Sequence, residues 1–170
     1  PQGQRVSRFE VFFLKQPGGG SFDLWLDGKR IRRVSTADLA HSEAFETIAV
    51  RDGGHLLKIV PVGDGEVRLF GVAMDRDVSG FRLDALGVNG ARAVSHLEWN
   101  DAMYTSQLSR RNPDLLVIAY GTNESGDTDQ PIEEYEDGFR TMVLRARASA
   151  PNASCLFVGP SDRPIKEGRQ

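Results

Sequence analysis

Leu115-Leu116-Val117-Ile118-Ala119-Tyr120-Gly121-Thr122-Asn123-Glu124 decides the class of the second half of the chain. Its first six residues are a continuous apolar run, the pattern of a strand buried on both faces of a parallel sheet, and its last four turn abruptly polar. Upstream, Asp101 to Arg111 reads as a helix closed by Asn112-Pro113. Downstream, Pro131 suits a first helical turn. Ile132, Tyr135, Phe139, Met142, Val143 and Ala146 follow at spacings of three and four, which gives one apolar face on a helix ending before Pro151. Cys155 to Val158 is a second short apolar run. Leu115 to Val158 is thus a strand, helix and strand, which predicts a right-handed crossover between parallel strands. Residues 84–170 read as α/β.

The first half is written in a different grammar. Apolar and polar residues alternate in short segments broken by Gly, Pro and Asp, as in antiparallel strands. Phe9, Val11 and Phe13 mark one strand ending near Lys15. Phe22 to Leu26 and Lys29 to Val34 flank Asp27-Gly28, a pair suited to a type I′ hairpin turn because both residues must take positive φ. Phe45 to Val50, His55 to Val62 and Val67 to Met74 are further strand candidates. Six strands within about 75 residues imply a β-sandwich or jelly roll over residues 1–83.

Composition narrows the function classes. With 21 Lys and Arg against 24 Asp and Glu the 170-residue chain has a net charge of −3, and the halves divided after Leu83 carry +1 and −4. Neither half offers the basic field that nucleic acid requires, so nucleic-acid binding is disfavoured. No apolar run approaches the roughly 18 residues of a membrane span. Cys155 is the only cysteine, which excludes an internal disulfide framework and a multi-thiolate zinc site.

The chemistry-bearing residues cluster after predicted strands. Tyr120-Gly121-Thr122-Asn123-Glu124 lies at the carboxyl end of a parallel strand, where open α/β sheets place ligands. There a Gly permits a sharp turn and an Asn amide can donate to a developing oxyanion. Leu86-Gly87-Val88-Asn89-Gly90-Ala91-Arg92-Ala93 again places Gly where a backbone N–H can face a ligand. Together these segments resemble blocks III and II of the SGNH hydrolases, also called GDSL esterases and lipases. Block II contributes a glycine N–H and block III an asparagine side chain to the oxyanion hole, roles that the resemblance carries to Gly90 and Asn123. Block III usually ends in Asp; Glu124 stands there instead, a variant seen in peptidoglycan O-acetylesterase-like members.

That subgroup inserts a carbohydrate-binding-module-like β-sandwich between blocks I and II, and the order here is the same. The resemblance, which by motif covers roughly Asp84 to Asp162, therefore implies a flavodoxin-like three-layer α/β/α core, here partial, preceded by the sandwich. It implies a serine esterase acting on glycan esters, acetylated cell-wall sugars above all, in an extracytoplasmic compartment, with no metal or cofactor and with possible glycan binding by the sandwich. A noncatalytic carbohydrate-binding protein is the alternative.

The departures from the pattern are as informative. No Gly-Asp-Ser occurs: Gly63-Asp64 runs into Gly65 and Gly126-Asp127 into Thr128. The Asp-x-x-His pair of block V, an Asp and a His separated by two residues near the carboxyl end, is also missing. The 170 residues are expected to be a central portion of a longer enzyme and to be inactive alone. His41, His55 and His96 read as a loop residue, a strand opener and a helix-start residue. Ser161 before Asp162 is a candidate pocket residue, and Ser79 a turn residue. Seven acidic residues, Glu124, Asp127, Asp129, Glu133, Glu134, Glu136 and Asp137, read as a solvated helix entry matched to the macrodipole rather than a cation site. Cys155 reads as core. Trp25 offers a sugar-stacking platform and Trp99 a packing residue, with burial expected for both.

Overall fold

The computed structural model describes residues 5–127 and 129–161. The chain separates into two compact units, Pro1–Ala85 and Leu86–Gln170.

The first unit is built of two three-stranded antiparallel sheets. One has the order β4-β1-β6, from β4 (Ser42–Gly53), β1 (Val6–Lys15) and β6 (Leu69–Asp75). The other has the order β3-β2-β5, from β3 (Lys29–Ser35), β2 (Ser21–Leu26) and β5 (Leu57–Pro61). From Phe9 onward the period-two pattern explains which side chains turn inward, and a register shift between Val6 and Arg8 brings Val6 to the same side. Val6, Phe9, Val11 and Phe13 of β1 meet Phe22 and Leu24 of β2, Val34 of β3 and Ile48 of β4 in one shared apolar core. Phe13 and Phe22 touch edge to face, with ring centroids 5.3 Å apart. The β2–β3 connection is the expected hairpin, since Asp27 has φ of +50° and Gly28 of +83°. His55 does not open β5 but precedes it. Its Nδ1 lies 2.7 Å from Asp27 Oδ2 and its Nε2 2.7 Å from the Arg51 carbonyl, a bridge that holds it at the hairpin end.

The second unit is mixed α/β. A 3-10 turn (Ala93–Glu98) leads into α1 (Asp101–Arg111), β7 (Leu115–Ala119), α2 (Ile132–Ser149) and β8 (Ser154–Val158). The strands β7 and β8 pair in parallel, from Leu115 opposite Ser154 to Ala119 opposite Val158. Asn100 caps α1 by accepting from the Met103 N–H at 3.0 Å, and Asn112 ends it in the left-handed conformation at φ +42°. Buried Ile118 of β7 packs with Met142 of α2 and Ala93 of the 3-10 turn. On the other side of the sheet Leu115, Val117, Leu156 and Val158 are 51, 56, 49 and 46% exposed. Of the three layers expected, the described residues therefore supply the sheet and the helical layer over Ile118. Side chains alternate between the faces of a strand, so an uninterrupted apolar run displays an uncovered face when helices reach only the other.

Candidate active site

The carboxyl edge of β7 is shaped by Gly121. It has φ of +109°, and a Cβ there would come within 2.9 Å of Pro160 Cδ. Only glycine fits both the turn and the approach of the chain leaving β8. The polar loop after it reaches back to the segment that follows Gly90, itself at φ +79°. Asn123 Nδ2 donates to the Ala91 carbonyl at 2.9 Å. Arg92 pairs in bidentate fashion with Asp127, Nε to Oδ2 at 2.9 Å and a terminal nitrogen to Oδ1 at 2.6 Å. The Ala93 N–H donates to Glu124 Oε1 at 2.7 Å, while the other oxygen of Glu124 accepts from the Gly121 N–H at 3.1 Å. Three consecutive residues, Ala91, Arg92 and Ala93, are thus held by one short loop. Gly90 and Asn123, far apart in sequence, are brought to the same edge, and both are exposed.

An aromatic and basic cluster stands beside this edge. His96 Nε2 meets the Tyr120 hydroxyl, the residue before Gly121. The imidazole lies against Trp99 with centroids 4.3 Å apart and meets Tyr104 and Tyr120 edge-on. Arg145 of α2 donates to the carbonyls of His96 and Trp99 and lies 4.5 Å over the Tyr104 ring. Burial, and then the nearby Arg145 charge, push the His96 pKa below its ordinary value. Burial pushes the phenols of Tyr104 and Tyr120 upward. His96 Nδ1 is buried without a partner among the described residues. The cluster favours a neutral imidazole that fixes Tyr120.

The remaining sequence candidates are dispersed. His41 lies exposed between β3 and β4. One Asp-x-x-His spacing does occur, at Asp38-Leu39-Ala40-His41, but it lies far from the carboxyl end and in the first unit. There Asp38 accepts from the Leu39 N–H at 2.7 Å and lies 3.6 Å from the Lys15 ammonium, so it serves the turn. Ser79 is exposed in a bend, and Ser161 is exposed after β8, whereas Asp162 and Thr128 lie outside the described residues. Cys155 is partly buried rather than a sealed core residue. Trp99 is 40% exposed although it stacks on His96.

Among the described residues no group of His, Cys, Asp and Glu is arranged to hold a metal ion. The acidic run divides: Glu133 and Glu134 occupy the first turn of α2 as the dipole argument expects, whereas Glu124 and Asp127 act on the Gly90 segment. Sequence reading missed that second use. The available signal was a carboxylate directly after Asn123 in a loop crowded with glycine N–H groups.

Residues 63–170, well over half of the chain, match the model of the GDSL-like Lipase/Acylhydrolase family. No curated protein matches the sequence. Among solved structures the chain is similar to a peptidoglycan O-acetylesterase, at 23% identity and a TM-score of 0.60, with 89% of this chain and 40% of that one covered. The chain thus spans about two fifths of that structure and shares its fold. A family two carbohydrate esterase from Clostridium thermocellum, in complex with cellohexaose, matches at 13% identity and a TM-score of 0.33 over 95% of this chain and 70% of its own. The loop after β7, the Gly90 segment and the family match agree: the chain belongs to the GDSL-like lipase/acylhydrolase family, the SGNH hydrolases, with a peptidoglycan O-acetylesterase among its structural neighbours.

Proposed function

We propose that this chain is the oxyanion-binding part of an SGNH-type serine esterase that removes O-acetyl groups from carbohydrate, with cell-wall glycan the favoured substrate. The observation that carries the reading is the hydrogen bond from Asn123 Nδ2 to the Ala91 carbonyl at 2.9 Å. It brings the block III asparagine beside the residue following Gly90, although 33 positions separate Gly90 from Asn123. An amide nitrogen carries two hydrogens, so one remains to donate to an oxyanion while the other holds the loop.

In this reading a serine of the full-length protein attacks the ester carbonyl, and a histidine takes the serine proton. The carbonyl oxygen becomes an oxyanion received by the Gly90 N–H and Asn123 Nδ2. Collapse expels the sugar alkoxide, which takes the proton from the imidazolium. Water then attacks the acyl-serine, its proton going to the histidine and then to the departing serine, and acetate leaves. Neither the serine nor the histidine is assigned within these 170 residues. The half-exposed apolar face of Leu115, Val117, Leu156 and Val158 supports further elements of the full-length protein completing the α/β/α core.

Residues 84–170 form the hydrolase portion in this reading, and residues 1–83 a carbohydrate-binding-module-like β-sandwich. Trp25 supports the latter. Phe22 and Leu24 face the core, so Trp25, itself partly buried, takes the outer face of β2, in register with Arg30 on one side and Lys58 on the other. A flat indole flanked by donors suits a pyranose ring. That same face favours the second reading, a noncatalytic glycan-binding protein. Acetate release from O-acetylated peptidoglycan by the full-length protein, with labelling by a serine-directed fluorophosphonate, tests the esterase. Glycan binding with neither release nor labelling would establish the second reading instead.

A further inference from the structure

The loop that carries Asn123 does more than present it. Asn123, Glu124 and Asp127 each grip one of the three residues after Gly90: the Ala91 carbonyl, the Arg92 guanidinium and the Ala93 N–H. Glu124 differs from the other two in gripping both segments. One oxygen holds Ala93 at 2.7 Å and the other holds Gly121 at 3.1 Å, so a single carboxylate spans from the Gly90 segment to the end of β7. We infer that Glu124 is a positioning residue of the oxyanion hole, setting the separation of Gly90 from Asn123. This rests on the proposed role of those two residues.

The chemistry of the side chain supports this use over a general structural one. Each of its oxygens accepts from a backbone N–H that regular structure leaves without a partner: Ala93 is the first residue of the 3-10 turn, and Gly121 follows the end of β7. A carboxylate is the only common side chain that accepts at both ends in a fork; an amide of the same shape offers one acceptor and one donor. Glu124 is partly buried, which strengthens charge-assisted bonds relative to those in water. Gly90 and Gly121 both sit at positive φ, so their backbones alone do not fix one geometry. A hole assembled before substrate arrives must take its rigidity from such a bridge, and displacement of a donor by about 1 Å can cost about 10²-fold in rate.

Glu124→Gln keeps the shape but places an NH₂ against one of the two N–H groups. In the full-length esterase it is expected to lower kcat by about 10- to 100-fold with KM little changed. Glu124→Asp, which retains both acceptors on a shorter stem, is expected to recover part of the loss. The decisive comparison is the double variant Asn123→Ala/Glu124→Gln. If Glu124 acts through Asn123, the double variant is no slower than Asn123→Ala alone; independent structural damage makes the losses multiply. Multiplying losses, or a Glu124→Gln enzyme with unchanged kcat, would overturn the inference while leaving the hole in place. An unchanged kcat in Asn123→Ala would instead overturn the underlying esterase reading.

Discussion

The Asn123 side-chain amide donates to the backbone carbonyl of Ala91 at 2.9 Å. That contact joins the loop after β7 to the segment carrying Gly90, and it requires a donor on Asn123. Asn123→Asp preserves size but aims an anion at the carbonyl oxygen. We expect the variant to lose the contact and to be destabilised by about 0.5–1.5 kcal/mol, the net worth of a solvent-accessible hydrogen bond. Urea unfolding followed by circular dichroism measures this; equal stability of Asn123→Asp and the parent would show that the contact does not hold the loop.

His96 and His55 give the two units opposite pH responses. Burial and then Arg145 lower the His96 pKa, so its folded form prefers the neutral ring. Its contribution is fully present above the unfolded value near 6.5 and is lost as pH falls through the depressed folded value. The Asp27 carboxylate first, and then the Arg51 carbonyl, raise the His55 pKa. That contribution is present below about 6.5 and is lost as pH rises through the raised folded value. Trp25 belongs to the first unit and Trp99 to the second, so single-tryptophan variants separate the two. Acidification from pH 7 to 5 should shift the Trp99 transition to lower urea in the parent and leave it in place in His96→Phe. An identical shift in both would remove His96 as the cause.

Trp25 stands on the outer face of β2 between Arg30 and Lys58 in register. If this face binds glycan, Trp25→Ala removes the stacking surface, which is worth about 0.5–1.5 kcal/mol for aromatic contacts beyond their area. Titration calorimetry with peptidoglycan fragments is expected to show binding weakened by about 2- to 13-fold, measured on variant protein shown by circular dichroism to be folded because Trp25 is partly buried. Equal affinity in Trp25→Ala would remove this face from consideration.

How much of this was legible in the sequence depends on the range of the interactions. The Asp27-Gly28 hairpin and the α2 stripe from Ile132 to Ala146 were readable because each is determined by residues close in the chain. The β7–β8 pairing was readable because an apolar run, a helix and a second run leave parallel pairing as the compact arrangement. The carboxylate after Asn123 signalled a backbone acceptor, but its partner Ala93 was not readable, since the contact joins residues 31 positions apart through a backbone N–H that has no side-chain signature. His55 was misplaced for the same reason: its position follows from Asp27 across 28 residues rather than from the apolar pattern of β5. The exposed side of β7 could not be anticipated either, because Leu115 and Val117 encode burial without encoding what buries them.

The most direct test of the central claim is steady-state hydrolysis of an acetyl ester by the full-length protein, with and without Asn123→Ala. Removal of one oxyanion donor is expected to lower kcat by about 10²–10³, leaving KM near its original value. A kcat unchanged by Asn123→Ala would contradict the assignment of the loop after β7 as the oxyanion-binding element.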